Sequence, residues 1–180
     1  MKARRSVAKR AGTIVTALAA SLLGVPAIAQ AQAGSAFAQA SAATAPVADA
    51  YFAAYTSRDW DALEPLLAAE ATFADPTATR VFGGVKSDGK AAIMERFRVG
   101  YAGLTHMRFA TTRRLVSGDV AIYEGTLDWG LDLGDGTTVD SVTPMVIVVT
   151  VADGKVVEHR DYVDYAPFLE AVRKTRQVAN

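Results

Sequence analysis

Between residues 105 and 165 the chain carries four long runs rich in Val, Ile, Thr and aromatic residues, at 105–116, 119–132, 137–151 and 155–165. Short turn signals part them: Ser117-Gly118-Asp119, Gly134-Asp135-Gly136 and Asp153-Gly154. β-Branched and aromatic residues suit a pleated surface, and the Gly-bearing pairs supply the positive φ that tight hairpin turns need. Strands joined by connections this short must run back and forth, so the region predicts an antiparallel meander. Residues 145–151 are apolar on both sides and belong at its centre, with Pro144 marking a bulge at the entry.

The preceding half is helical in pattern. After Pro46, Val47, Tyr51, Ala54 and Tyr55 fall at i, i+4, i+7 and i+8 on one face. Ser57-Arg58-Asp59 breaks the pattern, and Asp59 is suited to cap a second helix over 60–69, in which Pro65 imposes a kink or a late start. Residues 71–76 predict a short strand ended by Pro76, and 82–89 a Gly-rich loop. Ser87 or Asp88 is placed to cap a helix from about 90 to 99, and 166–177 predict a closing helix. Helices first and a meander afterwards predict an α+β domain, with N-terminal helices packed on one face of a curved antiparallel sheet and a cavity between the layers.

The first 33 residues read differently. Lys2, Arg4, Arg5, Lys9 and Arg10 make a basic start, residues 14–25 are apolar, and Ala27-Ile28-Ala29 and Ala31-Gln32-Ala33 offer small-x-small cleavage patterns. That is the plan of a secretory signal and predicts a periplasmic or secreted protein. Residues 34–45 (GSAFAQASAATA) read as a flexible linker, leaving 46–176 as the domain. Without the leader, 14 basic residues face 19 acidic ones, a net charge of about −5, which disfavours nucleic acid and anionic membranes as partners. With no cysteine, the core must hold the domain without disulfides.

Gly84 to Lys90 has the GxxxxGK spacing of a phosphate loop, but Ala91 stands where a magnesium-binding hydroxyl is needed. His106 and His159 are the only histidines and there are no thiolates, so no metal or cofactor is implied. Strand alternation is more informative. In GKVVEHRDYVDY (154–165), Val157, His159, Asp161 and Val163 share one face, and Glu158, Arg160, Tyr162 and Asp164 the other. His159 and Asp161 are then neighbours, roughly 7 Å apart along one face. In 119–132, Ile122, Glu124, Thr126 and Asp128 lie on one side and Tyr123, Leu127, Trp129 and Leu131 on the other. Composition alone turns the acids of that strand to water.

The segment GKVVEHRDYVDYAPFLEAV (154–172) resembles the closing strand and helix of limonene epoxide hydrolases and SnoaL-like polyketide cyclases. YFAAYTSRDWDALEPLLAAEATFADP (51–76) is similar to the opening helices and first strand of the same superfamily, which includes bacterial ketosteroid isomerases. The resemblance implies the nuclear transport factor 2-like fold, a cone of helices against a bent sheet. Matched to the epoxide hydrolases, Asp161 takes the place of the water-activating Asp and Asp128 that of a second Asp, which turns Glu124, Thr126 and Asp128 inward. Thr126 stands where that family has an Arg, Phe73 where it has a Tyr and Asp75 where it has an Asn. Matched to the isomerases, Asp75 takes the general base's place and Tyr51 that of the oxyanion tyrosine. Their second donor falls near Val146 or Ile147, which have none to offer.

The resemblance thus implies a cofactor-free acid/base enzyme, an isomerase, cyclase or hydrolase for a small apolar molecule, and the leader predicts its export. Asp161, Asp75 and Asp128 would move protons, and Tyr51 and His159 would stabilise developing charge. Phe52, Tyr55, Phe73, Phe97, Thr126 and Val163 would contact the substrate. Two carboxylates facing one cavity would share a proton. Two alternatives stay open: a binding protein that holds its ligand unchanged, and a homodimeric module joined through the apolar stripe Tyr123, Leu127, Trp129 and Leu131.

Overall fold

In the computed structural model, which describes residues 27–178, the meander is the frame of the molecule. β3 (Leu104–Ser117), β4 (Val120–Asp132), β5 (Thr138–Ala152) and β6 (Lys155–Val163) pair antiparallel in succession. β1 (Leu67–Asp75) joins β6 in parallel, and β2 (Val85–Asp88) adds to the far side of β1, giving the order β2-β1-β6-β5-β4-β3. The sheet is therefore mixed: the strand contributed by the helical half enters beside β6 in its own direction. The segment expected as a loop over 82–89 contains β2.

The helices are α1 (Ala27–Ser57), α2 (Trp60–Leu63), α3 (Thr79–Phe82), α4 (Lys90–Glu95) and α5 (Ala166–Val178). Asp59 caps α2 as its sequence position suggests, accepting from the Ala62 amide at 3.0 Å. The helix is far shorter than expected. Pro65 has no amide proton to continue it, and the chain instead tightens into the 3₁₀ turn Glu64–Leu66 before β1. α4 is capped by Gly89 at φ 86° and not by a side chain of Ser87 or Asp88. It widens into a π-helical turn, Arg96–Gly100.

Residues 34–45, expected as a linker, belong to α1. Their alanines are strong helix formers, and the segment is fastened to the β3–β4 turn. The Gly118 amide donates to Ser41 Oγ at 2.8 Å, and the Phe37 ring lies over Gly118. Residues 1–26, most of the expected leader, lie outside the described residues.

Residues paired across strands share a face, so register decides what the sheet presents inward. Asp161 pairs with Ile147, and Ile147 with Tyr123. Asp128 pairs with Val142 on one side and Arg108 on the other. Tyr123, Leu127 and Trp129 therefore share the inner face with Asp161, whereas Glu124, Thr126 and Asp128 lie on the outer one. This reverses the orientation that the epoxide hydrolase resemblance implied. It also removes the stripe expected as a dimer interface, because the chain covers it itself. Phe52 of α1 stacks on Tyr123 with ring centroids 4.0 Å apart, and Phe168 of α5 stacks on Trp129 at 4.6 Å. Leu131 is half-buried at the end of the row.

A further polar tie fixes α1 to the sheet. Arg114 donates to both oxygens of Asp49, at 2.7 and 2.6 Å, and the Tyr123 hydroxyl donates to the same carboxylate at 2.8 Å. Burial raises the Asp49 pKa, but the Arg114 and Tyr123 hydrogen bonds outweigh it and hold the group below the usual carboxylate range.

β4 approaches β3 so closely at Gly125 that a side chain there would overlap the Ala110 carbonyl and lie 2.7 Å from Phe109 Cε1. Gly125→Ala is expected to cost about 2 kcal/mol or more in urea unfolding. Thr126→Ala, one residue along on the outer face, should stay within about 0.5 kcal/mol.

Candidate functional site

The strand parity of β6 sends His159, Asp161 and Val163 under the helices, where His159 is wholly buried and Asp161 is 2% exposed. α1 lays two tyrosines over them, Tyr51 and Tyr55, one turn apart and stacked. His159 Nε2 lies 2.7 Å from Asp161 Oδ1, and the Tyr55 hydroxyl donates to Asp161 Oδ2 at 2.6 Å. His159 Nδ1 lies 3.0 Å from the Tyr51 hydroxyl, and the Tyr55 and Tyr101 hydroxyls are 2.7 Å apart. These contacts form one chain, Tyr51–His159–Asp161–Tyr55–Tyr101.

The donors can be assigned around an ionised Asp161, which only accepts. Nε2–H of His159 and O–H of Tyr55 both donate to it. With a neutral His159 ring, Nδ1 accepts from Tyr51, and Tyr101 donates to Tyr55. Burial pushes Tyr51, Tyr55 and Tyr101 well above the ordinary tyrosine value, and the Asp161 charge adds to it, so all three keep their protons. The His159 ring is also met edge-on by Tyr55 at 4.6 Å and Phe73 at 4.9 Å. Its orientation is thus fixed by packing as well as by both nitrogens.

A second carboxylate sits at the end of β1. Asp75 Oδ1 accepts from the amides of Thr77 and Ala78, each at 2.9 Å, and from the Thr77 hydroxyl at 2.5 Å. Its Oδ2 accepts from the Tyr165 hydroxyl at 2.6 Å. Thr77 Oγ1 in turn accepts from the Val163 amide at 2.9 Å, so the turn that Asp75 caps is pinned to the end of β6. Burial, reinforced by the hydrogen bond to Asp75, holds Tyr165 far above its ordinary value.

Asp161 and Asp75 both line a cavity of about 230 Å³ between the inner sheet face and the helices. Tyr55, Tyr101, Tyr165 and Arg96 supply its other polar groups, and Phe73, Leu127, Trp129, Met145 and Val163 are among its apolar walls.

Of the residues singled out in the sequence, Asp161, Asp75, Tyr55, Phe73 and Val163 reach this cavity. Tyr51 and His159 do not: they stand behind Asp161 and act on it. Phe97 is buried behind the wall, against Trp60 at 5.2 Å and Tyr101 at 5.4 Å, and Phe52 is spent on Tyr123 and Phe109. Thr126 and Asp128 are on the outer face, where Asp128 meets His106 at 3.0 Å and Arg108 at 3.4 Å. Asp128 and Asp161 share no cavity, and the shared-proton pair expected of them does not form.

Tyr101, Tyr165, Arg96 and Trp129 were not anticipated as lining. Tyr165 was visible as the last residue of the acid-rich segment. Tyr101 and Arg96 lie around a π-helical turn, where neither helix nor strand periodicity assigns a face.

A family model for the SnoaL-like domain matches residues 48–159. The chain belongs to the SnoaL-like domain family. Solved structures agree with this SnoaL-like domain in fold at low identity. A provisionally assigned SnoaL-like polyketide cyclase from Shewanella denitrificans OS-217 is 18% identical with a TM-score of 0.65, over 73% of this chain and 97% of that one. An LEH-like epoxide hydrolase from M. tuberculosis is also 18% identical, with a TM-score of 0.55 over 73% and 91% of the two chains. A provisionally assigned ketosteroid isomerase from Kribbella flavida DSM 17836 is 24% identical, with a TM-score of 0.53 over 69% and 79%. No curated protein matches the sequence. The expected nuclear transport factor 2-like architecture is the one found, helices on a curved six-stranded sheet.

The tyrosines of the SnoaL-like domain give its site a pH signature. An unfolded tyrosine ionises near pH 10, whereas Tyr51, Tyr55, Tyr101, Tyr123 and Tyr165 are all held higher in the folded state. Above about pH 10 the unfolded chain alone loses these protons, so the stability they carry is intact below that pH and falls as pH rises beyond it. The urea midpoint should drop steeply above about pH 10, and in a Tyr162→Phe variant, which removes the exposed sixth tyrosine, tyrosinate absorbance should appear only as structure is lost. Ionisation of these tyrosines near pH 10 in a still-folded protein would contradict the network.

Proposed function

We propose that this SnoaL-like domain is a cofactor-free acid/base enzyme, exported by its leader, that moves a proton on a small, largely apolar carbonyl compound. Isomerisation or ring closure fits better than epoxide hydrolysis, because the second Asp of the hydrolase arrangement is on the outer face. One observation carries the reading: Asp161, a carboxylate on an apolar cavity wall, is held by His159 and Tyr55 and joined through Tyr55 to Tyr101.

The chain of hydroxyls can reverse. While Asp161 is ionised, Tyr101 donates to Tyr55 and Tyr55 to Asp161. When Asp161 takes a proton from a carbon of the ligand, the negative charge moves to the ligand's oxygen. A protonated Asp161 can donate to Tyr55, and Tyr55 to Tyr101, which frees the Tyr101 O–H to donate to that new anion. Proton removal thus creates the donor that stabilises its product, a form of electrostatic stabilisation specific to the reacting state. Return of the Asp161 proton to another carbon completes an isomerisation, and attack of the enolate on a second carbonyl, with the Asp161 proton passing to the alkoxide so formed, completes a cyclisation.

His159 keeps donating to Oδ1 in either state, so it orients Asp161 throughout. Asp75 already accepts four hydrogen bonds and is assigned to holding Tyr165 and the cavity floor, not to the first proton transfer.

The test is to offer the protein terpenoid, steroid and polyketide-like carbonyl compounds and follow both binding and conversion. For a compound that is converted, Asp161→Asn should lower kcat by at least about a hundredfold with affinity kept within a few-fold. Tyr101→Phe should lower kcat more than it raises KM. Binding without conversion across the panel would make the domain a carrier instead.

A further inference from the structure

The cavity holds one cation, and no carboxylate answers it. Arg96 lies in the π-helical turn that follows α4, and such widened turns re-aim a side chain away from the helix's regular faces. Its Nε donates to Ser87 Oγ at 2.8 Å, from a serine buried on β2 directly opposite Phe73. Nη2 makes only a long contact, 3.5 Å, with the Lys86 carbonyl. None of the ion pairs among the described residues includes Arg96.

Glu95, which lines a second, open cleft together with Arg96, makes no ion pair with it, and other neighbouring charges are engaged elsewhere. Lys86 pairs with Asp88 at 3.0 Å, and Arg98, two residues on, takes Asp61 and Glu64. Within the cavity, Asp161 is held by His159 and Tyr55, and Asp75 by Tyr165 and its own turn. A guanidinium carries five donors in a planar fork matched to two oxygens. Arg96 is half-buried at an apolar wall with one good neutral hydrogen bond, a state whose desolvation an incoming anion would offset. Arg96 and Tyr101, the relay's outer end, line the same cavity.

We infer that Arg96 docks an anionic oxygen of the ligand, and that the natural ligand is an apolar organic acid whose carboxylate sits on Arg96 while its reacting carbon faces Asp161. The inference rests on the cavity reading above and adds the substrate class to it. An acid is held at one end by the fork and at the other by contact with Phe73, Leu127 and Trp129. The orientation is thereby set, and Asp161, which would repel a carboxylate, meets the uncharged part of the molecule. Neutral terpenoids and steroids are then poorer occupants than keto acids or enolic acids of similar size.

The experiment is isothermal titration of the full chain with 3-phenylpropanoate and 2-naphthoate, each beside its own amide. The acids should bind at least about tenfold more tightly than their amides, and added salt should weaken the acids only. In Arg96→Gln the acid and amide of each pair should bind alike, while Arg96→Lys should keep part of the preference. The comparison within the unaltered protein stands even if a variant folds poorly. Equal binding of acid and amide would overturn the role of Arg96 and leave the cavity reading in place. Failure of all four compounds to bind would overturn both.

Discussion

A carboxylate almost wholly removed from water must have its charge met by donors or lose it. In this domain that demand organises the interior. Asp161 is met by the His159 ring from its own strand and by Tyr55 from α1, so the hydrogen bonds that satisfy it also hold α1 on the sheet. Tyr51, bonded to the far nitrogen of His159, makes the same link one helical turn earlier. Packing and polar satisfaction therefore cannot be separated here. A helix moved by one residue would strand a buried acid and a buried imidazole together.

The division of labour across the sheet follows from register. The inner face collects large rings and the buried dyad, and α1 and α5 close over it. The outer face collects exposed polar contacts, the Asp128–His106 hydrogen bond and the Asp128–Arg108 ion pair among them, which contribute little to stability. What is left between the sheet and the helices is a cavity with two carboxylates, each tied to a phenol, and one arginine tied to a serine. Such a space is suited to holding a molecule that is mostly hydrocarbon and polar at a few points.

The architecture was legible where local chemistry and tertiary context agree. Four runs of strand formers parted by Gly turns could only be a meander, and alternation put His159 and Asp161 on one face, while the family resemblance was needed to turn that face inward. The helical half was harder. Pro65 was recognised as a misfit, and its missing amide proton ends the helix at Leu63; that β1 starts as early as Leu67, beside β6, was not legible locally. The alanines of 34–45 look like a linker until the β3–β4 turn offers Ser41 and Phe37 something to hold. At β4 the plain hydrophobic pattern, with large apolar groups inward and acids outward, gave the right face. The family match for Asp128 displaced it, because a motif correspondence carries no register. Tyr101 and Arg96 could not be assigned from periodicity at all, since a π-helical turn follows neither of the regular repeats.

The central claim is that Asp161 and His159 act as one oriented unit whose proton positions are dictated by Tyr51 and Tyr55. Nitrogen NMR of the imidazole rings measures this directly, with His106 replaced so that His159 is observed alone. The account predicts that at neutral pH His159 carries its proton on Nε2, in slow exchange with water, and that Nδ1 shows the shift of a hydrogen-bond acceptor. A proton on Nδ1, or an Nε2 proton exchanging freely with solvent, would contradict it.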